Sequence, residues 1–78
     1  MKKNKRKLET LGTMLNEYHF YGNLPKCCSM ADMATLQCCY NELSENGKPE
    51  FVQSNVKTIL ENIGYIVAPY KIGYKVIA

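Results

Sequence analysis

The chain is predicted to be an α+β domain: three helices followed by a C-terminal β-hairpin. Two observations predict it. Apolar residues recur at intervals of three and four through Ile63. After Gly64 the chain changes to short runs of branched and aromatic residues, "YIVAPY" and "IGYKVIA". A third observation sets the scale. Seventy-eight residues make one domain, which buries only about 60% of its unfolded surface.

The first helix rests on Leu8, Leu11, Leu15 and Tyr18, spaced three, four and three apart, and is placed at about residues 5–20. Gly22 and Asn23 end it, and Pro25 prevents an early restart. "SMADM" begins the second helix. Ser29 is the cap and Asp32, three residues on, is a variant of the capping box with a charge that suits the helix dipole. Met33, Leu36, Tyr40 and Leu43 give it one apolar face over about residues 30–44, and "ENG" breaks it. The third helix is expected over "FVQSNVKTILEN", with Pro49 in its first turn. Its apolar sector is Val52, Val56, Ile59, Leu60 and Ile63, and Gly64 is the left-handed stop. The hairpin then bends near Pro69–Gly73, and Pro69 places its strand at an edge or ends it. Two strands alone are marginal, so the hairpin must pack on the helices.

The net charge of +3 is unevenly distributed. Lys2, Lys3, Lys5, Arg6 and Lys7 form a basic run, read as a flexible tail over residues 1–7 ahead of a single domain at 8–78. Residues 8–47 set Glu9, Glu17, Asp32, Glu42 and Glu45 against Lys26. Residues 48–78 set Lys48, Lys57, Lys71 and Lys75 against Glu50 and Glu61. A nucleic-acid surface is therefore to be sought on the N-terminal run and the C-terminal third.

The segment "FVQSNVKTILENIGYIVAPYKIGYKVIA" resembles the recognition helix, glycine stop and wing of the winged helix-turn-helix family. The resemblance implies a winged-helix-like fold whose third helix enters the DNA major groove while the wing meets the backbone or minor groove. "FYGNLPK" is the segment that would hold the short strand often found between the first helices of that family, and the link "SENGKPE" is longer than a tight helix-turn-helix allows. On the helix, Gln53 and Asn55 carry amides that pair with adenine. Ser54, Lys57 and Thr58 suit phosphates or bases. On the wing, Tyr70, Lys71, Tyr74 and Lys75 suit backbone contact. The expected partner is double-stranded DNA, with a role in transcription regulation and with a homodimer as one route to control. The alternative is a protein-interaction module, such as a phage or mobile-element inhibitor of the anti-CRISPR kind, which would present an acidic face instead.

Other chemistry is not expected. The cysteines form adjacent pairs, Cys27–Cys28 and Cys38–Cys39, which lack the two- to four-residue spacing of zinc ligands. Cys39 falls on the apolar face of the second helix, with Cys38 beside it, so packed or semi-exposed thiols are expected, without metal or disulfide. His19, among aromatics at a helix end, suits the dipole. One histidine and one aspartate build no nucleophile–base–orienter set, and no glycine-rich phosphate loop precedes a helix, so neither an enzyme nor a cofactor is expected. No apolar run reaches the roughly 18 residues of a membrane span, and none follows the basic start, which predicts a cytoplasmic protein.

Overall fold

The computed structural model describes residues 2–26 and 28–78, with side chains from residue 5 onward. Its order is α1 (Lys2–Tyr21), α2 (Met30–Asn46), α3 (Ser54–Ile63), β1 (Val67–Tyr70) and β2 (Gly73–Val76). Three helices and a C-terminal antiparallel hairpin are thus present, as the change of period predicts.

Helix α1 buries Leu11 and Leu15, with Tyr18 packed at the margin. It begins at Lys2, three residues before the expected start, so the basic run is continuous with the helix. Lysine and arginine are good helix formers, which favours that extension. Gly22, at φ 69°, donates its N–H to the Tyr18 carbonyl and ends the helix. "FYGNLPK" holds no strand: it carries the end of α1 and then a turn, where the Cys28 N–H reaches the Pro25 carbonyl.

Helix α2 opens with the full capping box. The Asp32 N–H donates to Ser29 Oγ at 3.1 Å, and the Ser29 N–H donates back to Asp32 Oδ2 at 2.8 Å. Met33, Leu36 and Cys39 face the core, and the helix ends at Gly47, φ 87°.

Helix α3 corrects the sequence reading at its start. It begins at Ser54, not Phe51, and Pro49 lies outside it. Val52 is extended and forms a two-way bridge with Tyr74: each N–H donates to the other's carbonyl, at 2.7 and 3.0 Å. The Val76 N–H reaches the Pro49 carbonyl. These bonds satisfy the side of β2 that β1 leaves open, which a helical 49–52 segment would leave bare. Val52 is fully buried, so it shares the apolar period of α3 without sharing its helix.

The hairpin pairs Val67 with Val76 and Tyr70 with Gly73 across a two-residue loop, Lys71–Ile72. β2 is therefore the middle line of the sheet, with Val52 on one side and β1 on the other. Both neighbours run antiparallel to β2, hence parallel to each other, and α3 connects them. Pro69 pairs opposite Tyr74, whose backbone bonds go to Val52, so the Pro69 nitrogen lies on the outer edge of β1. A proline there leaves no N–H for another strand to capture. Val67 and Val76 face inward and complete a core that includes Val56, Leu60 and Tyr65. No helix among the described residues is long and apolar enough to cross a membrane.

Candidate nucleic-acid interface

The buried stripe of α3, Val56 and Leu60, fixes which side of the helix faces outward. Gln53, Ser54, Asn55, Thr58 and Glu61 are exposed, and Lys57 is half-exposed at the border with the hairpin. The N-cap residue Gln53 makes no side-chain cap, so the first turn presents backbone N–H groups and the positive end of the dipole.

Two contacts seat the hairpin beside this turn. The Val52–Tyr74 bridge joins the entry of α3 to β2. The Phe51 ring lies over Gly73, where a Cβ would stand only 2.7 Å from Cε2 of that ring, so glycine permits the approach.

The expected hairpin residues divide between the two faces. Side chains alternate along each strand and match across the ladder, so Val67, Pro69, Tyr74 and Val76 share the inner face, while Ala68, Tyr70 and Lys75 share the outer one. Tyr74 packs against the core, and Lys57 Nζ stands 5.4 Å from its ring centroid. Tyr70 is flanked by two ammonium groups, Lys75 at 4.7 Å and Lys71 at 5.1 Å. Such cation–π contacts are worth about 0.5–1 kcal/mol at exposed sites and hold the long side chains near one place. Lys71 adopts φ 53°, a conformation that favours glycine, and Ile72 beside it is 94% exposed.

Lys57 is also bonded to Glu61 Oε1 at 2.9 Å, the single salt bridge among the described residues. Its charge is thereby balanced within α3, whereas Lys71 and Lys75 have no carboxylate partner among the described residues. Asn55 donates a side-chain N–H to Asp32 Oδ1, so one of its amide hydrogens is committed to α2. This contact joins residues 23 apart in sequence, and no local pattern announces it.

Cys28 and Cys39 are buried and Cys38 is exposed; Cys27 lies outside the described residues. Burial, reinforced by Glu42 and Cys38, pushes the Cys39 thiol up to about 11. Among the described residues no three histidine, cysteine, aspartate or glutamate side chains are grouped to hold a metal ion. His19 Nε2 lies 3.1 Å from Gln37 Oε1, a tie between α1 and α2. No family model, curated protein or solved structure matches the chain.

Proposed function

We propose that this chain binds double-stranded DNA through the exposed side of α3 and the outer face of its hairpin, acting in the cytoplasm as a small regulator of transcription. The observation that carries the reading is the placement of Lys71 and Lys75. Both stand on the Tyr70 ring, unpaired with any carboxylate among the described residues, on a hairpin seated beside the first turn of α3, which has no side-chain cap. Phosphates are met by those cations and by the helix N-terminus. Gln53, Ser54 and Thr58 are then the groups free to meet base edges, and Asn55 keeps its amide oxygen and one hydrogen for the same purpose.

The test is titration of labelled duplex DNA with the full chain at two salt concentrations. Saturable binding that weakens with salt, by about 0.9 in the logarithmic slope per phosphate neutralised, supports the reading. A folded sample that fails to bind duplex at low salt ends it.

A second reading, a protein-interaction module of the phage or mobile-element inhibitor kind, is favoured by one feature. Phe20, Tyr21, Leu24 and Met30 are exposed at the corner between α1 and α2. Apolar exposure of this kind marks partner surfaces. A result in which no duplex binds would transfer the weight to that corner.

A further inference from the structure

A groove of about 470 Å³ lies where the start of α1, the end of α2 and the last residues of the chain meet. Its size falls within the range of ordinary small-molecule sites. Leu8, Leu43, Val76 and Ile77 form apolar walls. Lys5 and Lys48 also line it, both exposed and neither ion-paired among the described residues. Tyr65 lines the groove as well. Tyr65 is only 6% exposed, and its hydroxyl has no hydrogen-bond partner among the described residues.

We propose that this groove binds a small amphiphile with a carboxylate head and an apolar body. The walls require the apolar body, because a purely polar ligand would exchange its water for hydrocarbon without gain. The lining favours an anion: its side chains include two lysines and no aspartate or glutamate, so the charge they carry is positive. Tyr65 supplies a neutral donor. A phenol is protonated at neutral pH, and burial raises this one further, so the hydroxyl can donate to a carboxylate oxygen. The two lysines and this hydroxyl are the groups of the lining that suit a carboxylate head. The groove contains no residue of α3, so the proposal stands apart from the DNA reading.

The test uses decanoate below its micelle concentration, followed by amide chemical shifts of the full chain. Saturable shifts centred on Leu8, Leu43, Tyr65 and Ile77 are expected. Decanol and decyltrimethylammonium should bind at least tenfold more weakly, and inorganic phosphate should leave those amides unmoved. The double charge reversal Lys5→Glu with Lys48→Glu should weaken decanoate at least tenfold with the α3 amides unchanged, since both lysines are exposed and no α3 residue lines the groove. Tyr65→Phe should weaken it several-fold; if that variant does not fold, the charge reversal alone decides. Equal affinity for decanoate and decanol, shifts scattered outside the groove, phosphate acting like decanoate, or indifference to charge reversal would each overturn the proposal.

Discussion

Asn55 on α3 donates its side-chain amide to the Asp32 carboxylate in the first turn of α2. Asp32 is 5% exposed, and its other oxygen already accepts the Ser29 N–H. One carboxylate therefore closes a helix cap and fastens a second helix to it. A buried carboxylate needs such partners, because each missing hydrogen bond leaves a desolvated charge exposed to apolar surroundings.

Asn55→Ala should accordingly lower stability by about 1–3 kcal/mol, the cost of leaving Asp32 Oδ1 without its partner. Urea unfolding reads this as a lower midpoint at unchanged slope. A loss under about 0.5 kcal/mol would show that the contact does not persist in solution. The same substitution would blur any binding assay at Asn55, so duplex binding by that variant must be compared at equal folded fraction.

The Lys57–Glu61 pair makes a distinct prediction about binding. Glu61→Gln should raise duplex affinity and steepen the salt slope by about 0.9, because one cation is released toward phosphate. Lys71→Ala and Lys75→Ala should each reduce the slope by about 0.9, and Lys57→Ala by less, since its charge is already balanced. Fluorescence anisotropy across a salt series checks all four. Equal effects for the three lysines would mean that Glu61 does not hold Lys57 in solution.

Thiol chemistry should separate two adjacent residues. Cys38 is exposed and should react with a thiol reagent at once, while Cys39 should react only on opening, because burial keeps it protonated. Folding holds the Cys39 proton more tightly than the unfolded chain does, with the group raised from 9.0 to about 11. Its contribution to stability is therefore complete below pH 9 and is lost as pH rises toward about 11. Unfolding midpoints across that window should fall in the native chain and fall less in Cys39→Ala.

At the end of α3, Gly64 holds φ 118° while its N–H reaches the carbonyls of Leu60 and Glu61. Gly64→Ala should cost about 1–2 kcal/mol through the left-handed backbone. Thermal unfolding measures it, and an unchanged midpoint would mean that the turn relaxes elsewhere.

The sequence shows the apolar faces directly, because burial in a helix imposes its period on the residues. Leu11, Leu15, Met33, Leu36, Val56 and Leu60 all read correctly as core. Ser29 and Asp32 were legible because a capping box is local, its two members three residues apart. Val52 was not, since a valine that bridges a strand and a valine on a helix can face one core at one spacing. The division of Tyr70 from Tyr74 depended on the register. A bend placed loosely near Pro69–Gly73 leaves the faces undefined, whereas the two-residue loop Lys71–Ile72 fixes them. The Asn55–Asp32 contact and the groove beside Tyr65 join segments distant in sequence, and no periodicity encodes them.

Both ends of α3 are moored to one strand line. Before the helix, Val52 is bonded to Tyr74; after it, the Ile66 N–H reaches the Ala78 carbonyl and the Ile77 N–H reaches the Ile66 carbonyl. The helix cannot swing away by loosening at one hinge, because each hinge is a backbone bond to β2 or its continuation. Unwinding α3 and tearing β2 are then a single event, and their amides should exchange with solvent at a common rate. Anything that pulls on the outer face of α3 therefore loads the middle of the sheet as a tendon loads bone.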